Sequence, residues 1–112
     1  MARKIILITF FFLFVQETNA QVQWPVITQT AKPWTRWWWE GSAVDKPNLT
    51  AAMQQYQAAG LGGLEITPIY GGKGHETQFI SFLSPRWMVM LQHTLIEGKG
   101  LGLGSDLANA KG

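Results

Sequence analysis

Apolar and polar positions divide the chain into a leading apolar run and a longer part with strand-like and helix-like periods. Residues 5–15 are almost entirely apolar, follow Arg3 and Lys4, and precede a short polar stretch that ends at Ala20. This order of positive charge, apolar core and small residue is that of a secretory signal peptide, and the run is too short to span a membrane. We therefore expect residues 1–20 to be a cleaved signal, with an uncleaved anchor as the alternative.

The first strand is predicted where the chain becomes aromatic. Residues 35–39 are short, aromatic and β-prone, and a Gly-Ser pair follows them closely. Because side chains alternate along a strand, Trp37 and Trp39 share one face, and Arg36 and Trp38 share the other. The preceding segment has two prolines and no clear period, so we interpret residues 21–33 as a linker or lead-in.

A helix is predicted immediately after this strand. Asp45 is a suitable N-cap, and Val44 and Leu49 stand at the two positions of a hydrophobic staple. Gly60 is placed to end the helix in the left-handed conformation. The expected apolar stripe consists of Leu49, Met53, Tyr56 and Ala59.

The pattern then repeats with a second strand, a second helix and a third strand. Residues 64–67 predict a strand, and a glycine-rich loop follows it. Ser84 and Pro85 predict the start of a helix at its N-cap and first position. Its expected buried face consists of Trp87, Leu91, Thr94 and Leu95. Residues 102–107 predict the third strand.

The order strand, helix, strand, helix, strand predicts an α/β fold with two βαβ units and a parallel sheet. Three parallel strands leave two open edges and one uncovered face, so we expect an incomplete architecture. A (β/α)₈ barrel, for comparison, takes about 250 residues and eight strands.

Composition narrows the classes of partner. Without residues 1–20 the chain is nearly neutral and has no run of like charges, which argues against nucleic acid and anionic membranes. Cysteine is absent, so no disulfide framework is available. Six tryptophans in so short a chain suit either core packing or stacking on flat apolar surfaces such as sugar rings.

Four motifs carry a resemblance to a known family. They are PWTRWWW at 33–39 with GSAVDK at 41–46, AGLGGLEITPIYG at 59–71, FLSPRWM at 82–88, and LGLG at 101–104. Together they resemble the start of glycoside hydrolase family 106, the α-L-rhamnosidases, over roughly residues 33–109. Residues 34–112 would then be the first βαβαβ portion of an incomplete (β/α)₈ catalytic domain.

The resemblance implies an exported, multi-domain enzyme that removes α-L-rhamnose from plant polysaccharides by an inverting mechanism, with calcium at the active site. Its two catalytic glutamates have no counterpart in this sequence, so we expect a truncated product that is inactive alone and located in the periplasm or outside the cell. The calcium ligands stay unknown. The alternatives are a small secreted carbohydrate-binding module that uses the tryptophan cluster, and an inert pseudogene product.

Four side chains are candidate contacts to a rhamnose-containing glycan. Glu65 in the second strand and Asp106 near the end of the third are candidate ligands for substrate hydroxyls. The alternative for each acid is a structural role, paired with Arg36 or a neighbouring strand. Trp39 ends the first strand and is a candidate sugar contact, with barrel packing as its alternative. Tyr70 lies in the loop after the second strand, where barrel enzymes place their substrate face.

Two histidines remain. His75 lies in the same glycine-rich loop as Tyr70, where a lone histidine is more often solvated than a ligand. His93 lies in the middle of the second predicted helix with no suitably spaced metal-ligating partner, so we interpret it as structural or exposed.

Overall fold

The computed structural model of the protein describes residues 21–109, so the expected signal peptide lies outside the described residues. Three strands and two helices alternate along the chain. They are β1 (Trp34–Glu40), α1 (Lys46–Ala58), β2 (Gly63–Ile69), α2 (Pro85–Gly100) and β3 (Gly104–Leu107), with short 3₁₀ turns at Gln29–Ala31 and Glu76–Gln78. None of the helices in residues 21–109 is long and apolar enough to cross a membrane.

The three strands form one parallel sheet in the order β1-β2-β3. β1 pairs with β2 along its whole length, from Trp34 opposite Gly63 to Glu40 opposite Ile69. The two helices pack against each other, and side chains from both of them enter the same hydrophobic core. The predicted α/β class with a parallel βαβαβ arrangement is confirmed at this level.

Both helices begin where the sequence predicts, and α1 also ends where it predicts. The carboxylate of Asp45 accepts a hydrogen bond of 3.0 Å from the backbone N–H of Asn48. The hydroxyl of Ser84 accepts from the backbone N–H of Trp87 at 3.3 Å. Gly60 follows α1 with a φ of 88°, which is the left-handed conformation that a side chain disfavours.

The core lies between the helices and one face of the sheet. Its buried members are Trp39, Leu49, Met53, Leu64, Ile66, Ile80, Trp87 and Leu103. The ring of Trp39 packs edge-on against Trp37 and Trp87, each with a centroid distance of 5.9 Å. The indole N–H of Trp87 donates to the Ser42 hydroxyl at 3.0 Å, whereas Trp39 Nε1 has no acceptor among the described residues.

The predicted buried face of α2 is wrong at one position. Trp87 and Thr94 are buried as expected, but Leu95 is 46% exposed, and Gly98 is buried instead. Leu95 is one residue, or about 100° of helix rotation, beyond Thr94. The absence of a side chain at Gly98 brings α2 close to β3, because a Cβ there would lie 3.2 Å from Ser105 Oγ.

The lead-in segment is tied to the sheet by one side chain. Gln29 Nε2 donates to the carbonyl oxygens of Gly62 and Gly102, at 3.2 and 2.6 Å. Gly62 and Gly102 precede β2 and β3, so the lead-in segment lies across the end of the sheet at which the strands begin. At the opposite end of the sheet, where the strands end, the loop after β2 returns to β1, and the backbone N–H of Ile80 donates to Gly41 O at 3.0 Å.

Candidate functional site

One face of the sheet carries no helix in the described chain. On β1 this face presents Trp34, Arg36 and Trp38, and the two indoles are 47% and 51% exposed. Thr35, Trp37 and Trp39, at the alternate positions of β1, point toward the helices. We call the helix-free surface the open face.

Trp34 lies across the beginning of all three strands. It pairs with Gly63, which in turn pairs with Gly104, and a Cβ on either glycine would overlap the indole ring. The ring therefore lies flat over two neighbouring strands, and only glycine at both positions leaves room for it. The Trp34 indole thus covers the open face at the end where the strands begin.

A row of charged side chains crosses the middle of the open face. Glu65 pairs in register with Arg36 on one side and with Asp106 on the other. Arg36 Nε donates to Glu65 Oε2 at 3.1 Å, and the guanidinium carbon of Arg36 lies 5.3 Å from the centroid of the Trp38 ring. Asp106 Oδ1 accepts from the backbone N–H of Leu107 at 2.8 Å.

A hollow of about 350 Å³ lies beyond the C-terminal end of β1. The Phe79 ring forms one wall and sits against Gly41 and Gly71, where a Cβ would overlap it. The hollow is bordered by the last four residues of β1 (37–40) and by Ala43, Val44, Gly72, His75, Gln78 and Phe79. We call this cavity the β1 hollow.

The loop that brings His75 to the β1 hollow has its own internal bond. The backbone N–H of Gly74 donates to Glu76 Oε1 at 3.0 Å, and this bond lowers the pKa of the Glu76 carboxyl. Gly74 has a φ of 91°. The charged form of Glu76 thus favours the turn on which His75 lies.

The four predicted contact residues fall in three different environments. Glu65 and Asp106 lie side by side on the open face, with Glu65 engaged by Arg36 as its structural alternative anticipated. Tyr70 follows β2 directly and is 77% exposed at the edge where the strands end. Trp39 is 1% exposed and enclosed by other aromatic rings, which favours its packing alternative over a sugar contact.

His93 joins the two helices. Its Nε2 lies 2.9 Å from Thr50 Oγ1 on α1, and the same hydroxyl lies 3.4 Å from Glu97 Oε2. All three side chains are half-buried. This placement agrees with the structural interpretation of His93.

Sequence reasoning missed Trp34 and Trp38 as ligand-accessible aromatics. The alternation along β1 already separated Trp38 from Trp39, and Arg36 on the Trp38 face was the available sign that this face is the less apolar one. Nothing in the sequence indicated that Trp34 packs on Gly63 and Gly104, because these glycines lie far from it along the chain.

Calcium is implied only by the family resemblance. It takes six to eight oxygen ligands. Within residues 21–109, no group of three or more His, Asp or Glu side chains is placed to hold a metal ion. Glu65 and Asp106 supply two neighbouring carboxylates, one of which is paired with Arg36, so the described residues do not fit a calcium site by themselves.

Comparison of the sequence with models of known protein families gives no match, and no curated protein is significantly similar to it.

Proposed function

We propose that this chain forms the first βα units of a glycoside hydrolase barrel of the α-L-rhamnosidase type. In this proposal the protein is exported and acts on rhamnose-containing plant polysaccharide by inverting hydrolysis. The three described strands contribute sugar-binding surface, and the catalytic acid and base come from other strands of the barrel.

The observation that carries the proposal is the arrangement of the sheet. Its strands follow one another in chain order, they are all parallel, and both connecting helices cover the same face. A (β/α)₈ barrel is built this way, with helices outside and the other face of every strand turned inward. A complete doubly wound sheet reverses its strand order and carries helices on both faces, whereas one of its two βαβαβ halves has the same arrangement as the three strands described here.

The chemistry of the open face supports a sugar as the ligand. Carboxylates accept hydrogen bonds from hydroxyl groups, and exposed indoles stack on the apolar faces of sugar rings. Glu65 and Asp106 provide the acceptors, and Trp34 and Trp38 provide the aromatic surfaces.

Glu65 and Asp106 are not assigned as the acid and base. They are register partners on neighbouring strands, whose backbones are about 4.8 Å apart. An inverting pair stands roughly 6.5–9.5 Å apart, with a water between the two carboxyl groups. We therefore propose that both acids hold substrate hydroxyls.

A second candidate is a small secreted carbohydrate-binding module. The two exposed indoles that flank the charged row favour it, because such a face binds sugar without catalysis. A module would be a monomer that unfolds cooperatively at any concentration. A barrel portion would need further strands along its edges.

Glycan binding tests the proposed function. Protein obtained by expressing the full chain is titrated with rhamnogalacturonan oligosaccharides and, as a control, with oligogalacturonides that lack rhamnose. We expect calorimetry to detect binding of the first ligand only. Equal binding of both ligands, or of neither, would contradict a rhamnosidase role.

A further inference from the structure

We propose that the β1 hollow is a subsite for one neutral pyranose ring, which stacks on the exposed indole of Trp38. This inference rests on the proposed function and names the part of the surface that holds the sugar. Glu40 and His75 are its hydrogen-bonding partners. Trp39 also borders the hollow, but its ring is 1% exposed and offers no free face for stacking.

Trp38 has the features of a stacking platform. Its ring is 51% exposed and lies on the open face near the end of β1. The guanidinium of Arg36 lies 5.3 Å from the ring centroid, within the range of a cation–π interaction. Since Arg36 is also held by Glu65, the indole is supported from the side of the charged row while it lines the hollow.

The size of the hollow suits a small ligand. Ligand pockets are typically about 300–1,000 Å³, and this cavity lies at the lower end with about 350 Å³. Its walls combine the apolar rings of Trp38 and Phe79 with the polar groups of Glu40, His75 and Gln78. A single sugar ring presents the same mixture of an apolar face and hydroxyl groups at its edge.

The charge of the hollow favours a neutral sugar over an acidic one. Its lining contains no lysine or arginine, and the Glu40 carboxylate is its one acidic group. A uronic acid or a phosphorylated sugar would bring a second negative charge beside Glu40 without a fixed cation to balance it. A neutral 6-deoxy sugar such as rhamnose brings hydroxyls for Glu40 and His75 and an apolar methyl group.

Arg36 is a positioning residue in this arrangement. It touches Trp38 and Glu65, but it is absent from the lining of the hollow. Loss of its guanidinium would leave the indole free to change rotamer. A chain of contacts from Glu65 to Arg36 to Trp38 therefore links the charged row of the open face to the hollow.

The test follows indole N–H signals by NMR. Protein from the full chain, labelled with ¹⁵N, is titrated with methyl α-L-rhamnoside, methyl β-D-glucoside and methyl α-D-galacturonate, and Trp38→Phe identifies the Trp38 signal. We expect the rhamnoside to shift that signal and the galacturonate to leave it unchanged. Trp38→Ala should weaken rhamnoside binding by about 3- to 10-fold. Trp24→Ala, which removes an exposed indole outside the hollow, should leave binding unchanged.

Arg36 has a separate readout. Arg36→Ala should broaden or shift the Trp38 signal in the free protein and weaken binding, whereas Arg36→Lys should restore both in part. A purely structural Arg36 would change stability without moving the Trp38 signal selectively.

The outcomes separate this inference from the proposed function. Rhamnoside binding that shifts Trp34 or Trp39 and is unaffected by Trp38→Ala overturns the subsite but leaves a rhamnose-binding protein. Binding of the glucoside alone at Trp38 supports the subsite and removes the rhamnosidase assignment. A Trp38 signal that none of the three sugars moves overturns the subsite.

Discussion

At the residue scale, neighbouring tryptophans on β1 lie in different environments, because successive side chains of a strand point to opposite faces of the sheet. Trp39 is buried among Trp37 and Trp87, whereas Trp38 is half-exposed beside Arg36. Identity alone does not distinguish the two residues. Their burial does, since Trp38 is 51% exposed and Trp39 is 1% exposed.

Trp39 and Trp87 form a matched pair of buried indoles. Trp87 Nε1 donates to Ser42, but Trp39 Nε1 has no acceptor among residues 21–109. Replacing each by Phe removes a similar volume, so the difference between the two variants reflects the hydrogen bond. We expect Trp87→Phe to lower the free energy of unfolding by about 1 kcal/mol more than Trp39→Phe. Denaturant unfolding at one protein concentration measures this, and equal losses would contradict it.

Asp45 gives a pH dependence of known sign. The backbone N–H of Asn48 donates to Asp45 and, together with the Asn48 side chain, lowers the pKa of that carboxyl. A lowered folded-state pKa means that the stabilisation is present above the unfolded pKa and is lost as the pH falls through the folded pKa. Melting temperatures below about pH 4 should therefore fall less in Asp45→Asn, which keeps a capping side chain without titrating. Parallel curves for the two proteins would contradict this.

At the scale of elements, the register of the sheet decides which side chains meet. Trp34, Gly63 and Gly104 lie in one row across the sheet, and Arg36, Glu65 and Asp106 lie in the next row on the same face. A slip of one residue would turn every side chain to the wrong face. The flat packing of the Trp34 ring on two glycines therefore helps to define the register.

Gly104→Ala tests this packing. The new methyl group would overlap the Trp34 ring, so we expect a loss of about 1–3 kcal/mol in the free energy of unfolding. Gly100→Ala is the control. Gly100 is the last residue of α2, and a Cβ there would have no atom within 4 Å. The Gly100→Ala variant should therefore be at least as stable as the wild type. Denaturation curves that show equal effects would contradict the placement of Trp34.

At the scale of the whole molecule, the sheet has unpaired edges within the described chain. β1 is seven residues long, is rich in aromatic side chains and pairs only with β2. Long apolar edges of this kind pair with other strands. The unpaired edge of β1 therefore favours pairing with another strand, including one from a second copy of the protein.

We expect the isolated protein to self-associate at micromolar concentration. Thr35→Lys should reduce this association, because a charge on an edge strand opposes pairing. Gln57→Lys, on the exposed surface of α1, is the matched control for charge. Sedimentation velocity measures both variants. A concentration-independent monomer with a cooperative melting transition would contradict this expectation and favour the carbohydrate-binding module.

We also expect the isolated protein not to hydrolyse an aryl α-L-rhamnoside. Glu65 is engaged by Arg36 and neighbours Asp106, and no part of residues 21–109 encloses the face on which both acids lie, so water reaches them. A correctly placed acid or base alone contributes about 10²–10⁴ in rate. Release of the aryl alcohol, followed by absorbance, is the measurement. Turnover abolished by Glu65→Ala but retained in Glu76→Ala would show that the catalytic residues lie in this part of the chain.

The sequence by itself determined the order of elements, the start of both helices and the end of α1, because caps, prolines and left-handed glycines act within a few residues of one another. It also determined the alternation of faces along β1. Tertiary structure alone decided the strand register, the burial of Gly98 in place of Leu95, and the row of Arg36, Glu65 and Asp106. The register and the charged row depend on pairs of residues about 30 to 40 positions apart, for which no local preference exists. The burial of Gly98 depends on how closely α2 packs on β3. The role of Trp38 falls between the two: alternation fixed its face, but only the packed fold left that face open.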